Sequence, residues 1–526
     1  MIDWSFPYSS QRMPILADNI VSTSQPLAAQ AGLKMLILGG NAVDAALAAA
    51  ITLTVVEPTS NGIGSDAFAL IWDGKKLSGI NGSGRSPAAW SRKYFARYEE
   101  MPLYGWDTIT VPGAVSTWAA LSRRFGSLPF EQICQPAIAY ARQGFLVSPI
   151  TAKKWEETAD NFREFDEFTK IFLPDGNAPR SGSRFTCEHM ACTLEEIAST
   201  RGESFYRGNL AQKIVRCSQE QGGALSYEDL TNHQPFWVEP LVQEYRGYEL
   251  NEIPPNGQGI AALIALGILK HYDLDQYPLD SADSVHLQVE AMKLAFADVF
   301  CHLADHDAMR VDCKTLLDPE YLKMRADLID MSTAHFPESG IADDHGTVYL
   351  AAADAAGMMV SFIQSNFHGF GSGVVIPDTG ISMHNRGHGF TLEENHPNQV
   401  DGGKRPFQTI IPGFVMKDGH PLMSFGVMGA HMQAQGHVQM MTRLFSYGQN
   451  PQAASDAPRW HVMQDNQLAL ERGFPTEVIG ELHRRGHSLL YDEPPQLFGG
   501  AQLIYKTAGG YIGASDHRKD GQAVGF

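Results

Sequence analysis

Strand-forming hairpins occupy both ends of this 526-residue chain, and helices fill the space between them. Near the start, 67–72 is apolar, Asp73-Gly74 breaks it, and 77–81 returns. An Asp-Gly pair between two apolar runs is a short-loop hairpin signal. The pattern recurs after residue 347. There 348–353 turns at 354–357 into 358–363, 410–416 turns at Asp418-Gly419 into 421–425, and 503–506 turns at Gly509-Gly510 into Tyr511-Ile512. Two helices come early. One, 26–38, is stopped by Gly39-Gly40; the next, 42–53, is capped by Asn41, apolar on most faces, and so expected to be buried. The middle, 112–331, reads as mostly helical, with helices over 115–125, 129–143, 194–200, 209–221, 260–271 and 281–305, and a Pro/Gly-rich surface loop over 174–183. Strands first and last with helices between are satisfied by two stacked antiparallel sheets covered by helices. No internal repeat is found.

Composition bounds the partners. The length exceeds one ordinary core and suits a large α/β unit or two lobes. An apolar share of 44% is globular and leaves little room for long disorder. The net charge of −19 comes without any Lys/Arg run, which argues against a nucleic-acid partner. The longest apolar stretch, 42–56, contains Asp44 and is too short for a membrane span. The first residues, Met1-Ile2-Asp3-Trp4-Ser5-Phe6-Pro7, carry no basic and then apolar leader pattern, so the chain is expected in the cytoplasm. Six cysteines show no disulfide spacing; Cys187 and Cys192 have no second ligand pair and are read as buried or half-buried thiols rather than a metal site. No cofactor and no metal are expected.

Thr347 stands between a polar stretch, 338–344, and an apolar strand. Threonine is a poor nucleophile inside a chain. At an N-terminus it carries its own base, an α-amino group with a pKa of about 8. Reaching that state requires cutting the Gly346–Thr347 bond, and Gly346 offers no side chain to hinder an attack on its carbonyl.

Thr347 is one of many ordered matches to a known family. The others include Ser24-Gln25-Pro26, Gly39-Gly40-Asn41-Ala42-Val43-Asp44, Glu57-Pro58-Thr59-Ser60-Asn61-Gly62, Thr110-Val111-Pro112-Gly113, Asp354, Asn366, Gly371-Ser372-Gly373, Lys404-Arg405-Pro406, Gly426-Val427-Met428-Gly429, Ala457-Pro458-Arg459 and Gly513-Ala514-Ser515-Asp516. Together these resemble the γ-glutamyltranspeptidase family of N-terminal-nucleophile hydrolases. The resemblance implies a four-layer αββα sandwich (α/β, α+β class). It also implies a precursor cut into a large chain, 1–346, and a small chain, 347–526, that together form one αββα unit; a homodimer of that processed pair is compatible with it.

The resemblance also implies roles. Thr347 is the nucleophile, first in self-cleavage and then on substrate. The backbone N–H groups of Gly429 and Ala430 form the oxyanion hole, with Ala430 where the family usually has a second glycine. Asn366 positions nucleophile and substrate. Arg85, in a Gly/Ser loop after a strand, takes the substrate carboxylate, a task that suits its planar fork. Gln364, Arg386, His388, Gln408, Thr409 and His431 lie around the substrate.

The departures narrow the substrate. Arg386 replaces the usual glutamine, Gly389 stands where an acidic partner for an α-ammonium is expected, and Gln408-Thr409 replaces a serine pair. An ammonium placed there meets like charge, which costs several kcal/mol in order of magnitude in a dehydrated pocket. The expected substrate is therefore a small acidic amide, with oxamate hydrolysis to oxalate and ammonia the specific reading. A γ-glutamyl hydrolase or transpeptidase, a dicarboxylic acyl amidase and a processed but inactive binding protein are the alternatives.

Self-cleavage is directly testable. The purified protein is expected to run as two polypeptides, with the smaller starting Thr-Val-Tyr-Leu on N-terminal sequencing. A fully active preparation that stays a single chain would contradict it.

Overall fold

The computed structural model describes residues 4, 11–336, 347–463, 467–491 and 493–526. Two seven-stranded sheets stack face to face. The first runs Gln522–Gly525, Ile20–Thr23, Val348–Ala353, Met359–Ser365, Asp66–Trp72, Leu77–Asn81, Phe236–Val238. The second runs Ile15–Ala17, Gly510–Ser515, Gly500–Thr507, His420–Met428, Gly413–Lys417, Tyr248–Glu252, Leu241–Tyr245. Every neighbouring pair in both is antiparallel. Helices Pro26–Ile37 and Ala42–Val56 cover the first sheet; Gly259–Leu269 and Met432–Phe445 cover the second, with Ala282–His302 packed behind them. This is the four-layer αββα sandwich.

The strand Val348–Ala353 shows why its sequence is apolar throughout instead of alternating. Val348, Leu350 and Ala352 pack into the helix-side core. Tyr349, Ala351 and Ala353 pack between the sheets with Phe68, Leu70, Ile363, Phe414 and Ile504. A strand buried on both faces needs no polar face. Gly426 opposes it from the second sheet, where a Cβ would lie 2.4 Å from the Tyr349 ring, so the sheets can approach here only over a glycine.

Both sheets mix residues from before and after Thr347. Ile20–Thr23 is paired on one side with Val348–Ala353 and on the other with Gln522–Gly525. At the start of Ala42–Val56, the Ala42 N–H donates to Asp354 Oδ2 at 2.8 Å, a favourable place for negative charge. Large and small portions thus share one core without a disulfide: all six cysteines are free. Cys134, Cys187, Cys217 and Cys313 are buried; Cys192 and Cys301 are exposed, which corrects the reading of Cys192 as a sheltered thiol.

The middle of the chain is less uniformly helical than its sequence suggests. Leu241–Tyr245 and Tyr248–Glu252 form a hairpin through Arg246 (φ 56°) and Gly247 (φ 83°). An arginine at the first turn position is no turn signal, so the hairpin is hidden in the sequence. The strand expected from 410 begins at Gly413.

Near the C-terminus a buried ion cluster locks the second sheet. Asp516 accepts from Arg459 Nη2 at 2.6 Å, Arg518 Nη1 at 3.1 Å and the Ala501 N–H at 2.7 Å. Burial raises its pKa, but Arg518 and Arg459 outweigh that and hold it well below the usual carboxylate range. A depressed carboxylate contributes stability above its unfolded pKa of about 3.9 and loses it as pH falls through the folded value. Asp516→Asn is therefore expected to lose about 3–5 kcal/mol at pH 7 in denaturant unfolding. The gap to wild type is expected to close as the pH is taken well below 4, and a gap independent of pH would contradict this account.

Candidate active site

The register Val348↔Gln364 puts Thr347 at the end of its strand across from Ser365, and Ser365 is paired in turn with Asp66. Alternation then decides which side chains meet. Thr347, Ser365 and Asp66 share the inter-sheet face with Tyr349, Ile363 and Phe68, whereas Gln364 faces the helices with Val348. Thr347 is buried, and its Oγ1 lies 3.3 Å from Ser365 Oγ and 3.4 Å from Gln433 Nε2. Ser365 Oγ also accepts the Phe367 N–H at 2.8 Å. Gly346, the other half of the expected cleavage site, lies outside the described residues.

Asn366 follows directly. Its Oδ1 accepts from Ser65 Oγ at 2.8 Å and its carbonyl from the Asn385 N–H at 3.1 Å. Among the described residues its Nδ2 is buried with no partner, a donor left available two positions from Gln364 on the loop that follows Ser365.

The loop after His420–Met428 passes through Gly429 (φ 117°) and Ala430 (φ 35°). A methyl-bearing residue in this left-handed region costs about 1–2 kcal/mol, and such strain gathers at working sites. The carbonyls are pinned: Gly429 O accepts the Met432 N–H at 2.7 Å, and Ala430 O accepts Gln258 Nε2 at 2.8 Å. Among the described residues, neither the Gly429 nor the Ala430 N–H has an acceptor. Two adjacent unused donors form the kind of cradle that stabilises an oxyanion.

Arg386 is wholly buried. Its Nη1 donates to Thr409 Oγ1 at 2.8 Å and its guanidinium sits 4.2 Å over the Phe367 ring. Among the described residues its Nε and Nη2 have no partner. Burial lowers its pKa to about 9, with Asp66 opposing, so it is cationic at neutral pH. Asp66 is raised by burial to about 7 against the pull of Arg386, and it accepts from Gln408 Nε2 at 2.9 Å and the Gly113 N–H at 3.1 Å. His384 Nδ1 accepts the Arg386 N–H at 3.0 Å, and burial, then Arg386, lower the ring to about 3, keeping it neutral. Phe367 itself is held at φ 78°, a strained value for a bulky residue, to place its ring under Arg386.

His431 follows Ala430 in the same loop. Gln258 donates its amide to the Thr409 and Ala430 carbonyls, so its Oε1 faces His431 Nδ1, 3.0 Å away. Burial lowers His431 to about 3, and its ring packs among Phe296, Phe300 and Phe407. Phe390 instead packs against Trp90 in a separate cluster.

The side chains of three expected substrate contacts are engaged by other groups of the protein. Gln364 is spent on Trp118 Nε1 at 2.9 Å and Asn61 Oδ1 at 2.7 Å, on the helix side of its strand. Arg85 donates to Asp305 Oδ2 at 2.9 Å and the Gly403 carbonyl at 2.8 Å, with its side chain 43% exposed. His388 donates from Nδ1 to the Met101 carbonyl at 2.9 Å, its ring beside Phe367 and His368. Sequence reasoning missed Ser365, Asp66, Gln258 and Gln433. Strand alternation from Thr347 could have found Ser365; the other three lie far from it in sequence.

Spacing along the chain shows no metal-ligand cluster, yet the fold brings His286, Glu290 and His487 together in one buried group. Its polar atoms are already engaged. Lys293 Nζ lies 2.9 Å from Glu290 Oε1 and 3.4 Å from His487 Nδ1, and His487 Nε2 lies 2.7 Å from His286 Nδ1. The lysine ammonium occupies the cation's place.

A model of the family described as Gamma-glutamyltranspeptidase matches residues 28–526. The chain belongs to that family. The crystal structure of a cephalosporin acylase from Bacillus halodurans superposes with a TM-score of 0.96 at 47% identity, covering 100% of this chain and 99% of that one. A glutathione hydrolase-like YwrD proenzyme of Bacillus subtilis (strain 168) is 37% identical over 511 residues, 95% of this chain and 97% of its own. The oxamate amidohydrolase proenzyme of Klebsiella pneumoniae is 35% identical over 518 residues, again 95% and 97%. The chain is accordingly an enzyme acting on amide C–N bonds, of a family made as proenzymes that yield large and small chains. Among the described residues no helix is long and apolar enough to cross a membrane.

Because the acyl transfer expected of Thr347 needs no Lewis acid, activity is expected to survive dialysis against EDTA. Loss on dialysis with recovery on adding zinc or manganese would contradict that.

Proposed function

We propose that this chain hydrolyses a small amide whose acyl part bears a carboxylate and no α-ammonium, with oxamate the specific substrate. The observation that carries this reading is Arg386, a buried cation with two donors, Nε and Nη2, that have no partner among the described residues. Those two N–H groups match the two oxygens of a carboxylate. An incoming ammonium would meet the guanidinium. The carboxyl group whose charge acts on it, Asp66, is already engaged by Gln408 and Gly113 and is half-neutral near pH 7.

The reaction follows from the groups at hand. Thr347 Oγ attacks the amide carbonyl while its freed α-amine takes the hydroxyl proton. The carbonyl oxygen gathers negative charge at the Gly429 and Ala430 N–H groups. Collapse breaks the C–N bond, the proton passes to the departing nitrogen, and ammonia leaves. Water then attacks the Thr347 ester, the C–Oγ bond breaks, and the diacid is released. The Asn366 amide and the carboxylate contact at Arg386 hold the acyl part in line, and Phe407 beside His431 favours a short one. In this reading Arg85, half-exposed and paired with Asp305, attracts the substrate carboxylate before Arg386 takes it.

A second reading is favoured by the similarity to a cephalosporin acylase: a longer dicarboxylic acyl group, using the same arginine. A panel of oxamate, a glutaryl amide and a γ-glutamyl anilide separates these readings. Oxamate is expected to give the highest kcat/KM. Arg386→Gln, which restores the family's usual residue, is expected to lower that value by about 100-fold or more, because a neutral amide replaces a two-pronged charged contact. Preference for the glutaryl amide would select the second reading, and preference for the γ-glutamyl compound would overturn the charge argument.

A further inference from the structure

We propose that Gln433 is a catalytic residue: its side-chain N–H is the fixed donor to the nucleophilic oxygen, Thr347 Oγ1. The inference rests on the reading of Thr347 as nucleophile and adds a function for a side chain that sequence alone does not mark.

Gln433 is the second residue of the helix Met432–Phe445, directly behind the oxyanion loop, with its own N–H on the Ala430 carbonyl at 3.2 Å. The orientation of its amide is decided by a partner that can only donate. The Ile411 backbone N–H lies 3.0 Å from Gln433 Oε1, so the oxygen faces Ile411 and the NH₂ group faces Thr347 Oγ1 at 3.4 Å. Among the described residues, Thr347 Oγ1 is the acceptor that Nε2 finds. The side chain is wholly buried, and a buried amide donor without a use is costly.

Its neighbours on the same helix show what a purely structural glutamine does here. Gln435 Oε1 accepts the Val462 N–H at 2.7 Å, and its Nε2 donates to the Val462 carbonyl at 3.2 Å. Gln439 treats Trp460 the same way, at 3.2 and 2.9 Å. Each of those glutamines spends both ends on the main chain, its nitrogen also reaching the carbonyl four residues back, at 3.4 and 3.3 Å. Gln433 spends only its oxygen so; its nitrogen goes to the nucleophile.

A donor on one lone pair of Oγ1 leaves the hydroxyl hydrogen directed at Ser365 Oγ in the uncut chain and at the α-amine after cleavage. As Oγ1 gives up that proton and bonds to the carbonyl carbon, the Gln433 N–H stabilises the negative charge developing on it. In deacylation the C–Oγ1 bond breaks, and the same N–H stabilises Oγ1 as it leaves and regains a proton. Gln433 therefore serves self-cleavage and turnover alike.

The test uses two variants of the full chain. Gln433→Glu keeps an acceptor for the Ile411 N–H but places an acceptor where the donor was. Gln433→Met removes both at similar size and stays neutral, so it serves if the glutamate variant fails to melt cooperatively. Both are expected to cut themselves more slowly on a gel time course and to lose about 100-fold or more in kcat, the usual cost of one such donor. KM is expected to change less than about threefold. The Gln433→Glu deficit is expected to narrow as pH falls, since a protonated carboxyl regains an O–H donor; a residue that only braces Ile411 would show no such recovery. If both variants melt cooperatively and cut and turn over within about threefold of wild type, the proposal is overturned. Thr347→Ala, run alongside, separates the two readings. An uncut, inactive chain keeps the nucleophile assignment whatever Gln433 does, and a cut, active one removes it.

Discussion

The pairing of Val348–Ala353 with Met359–Ser365 governs the rest of the structure. Side chains on a strand alternate, so a slip of one residue would send Thr347 to the helix side and Gln364 to the inter-sheet side. Apolar residues alone would resist that slip weakly, because both faces of the strand are buried. The polar groups supply the discrimination. Gln364 finds Trp118 and Asn61 only on the helix side, and Tyr349 finds Ser361 at 2.7 Å only between the sheets. The position of Thr347 is thus decided by hydrogen bonds made by residues of its own strand and of the strand paired with it.

Two charges buried near each other shape the other half of the site. Asp66 and Arg386 each shift towards neutrality on burial, and each limits the other's shift. Asp66 nonetheless fills its lone pairs with amide donors, whereas Arg386 keeps two donors free. The imbalance leaves the site with a net appetite for an anion. It costs stability, since an unpaired buried donor is expensive, and it is concentrated where Phe367 is also held in a strained conformation.

Much of the fold was readable from the sequence because its hairpins use Asp-Gly and Gly-Gly turns and its buried helices are continuously apolar. The hairpin through Arg246 was not, because its turn lacks a turn-forming first residue. Resemblance groups Thr347, Asn366, Gly429 and Ala430; in the fold Asn366 follows Ser365, the residue across from Thr347, and the loop through Gly429 and Ala430 leads into the helix whose Gln433 meets Thr347 Oγ1. Gln364 and Arg85 show the limit of that approach. Motif position says where a residue is in the chain, but the face of a strand and the pull of a nearby Asp305 decide where its side chain goes. Gln433 carries no motif at all; only the Ile411 N–H, 22 positions away, tells which end of its amide meets Thr347.

The interleaving of strands from both sides of Thr347 has a consequence for the life of the molecule. While the chain is continuous, folding is a unimolecular search. Once the bond before Thr347 is cut, the two pieces can part only by unravelling both sheets together, and a molecule that does unravel must find its lost half by diffusion. Cleavage would then turn a reversible equilibrium into a ratchet, in which the mature form is durable because it was assembled once, as a single chain, and is poorly equipped to be assembled again.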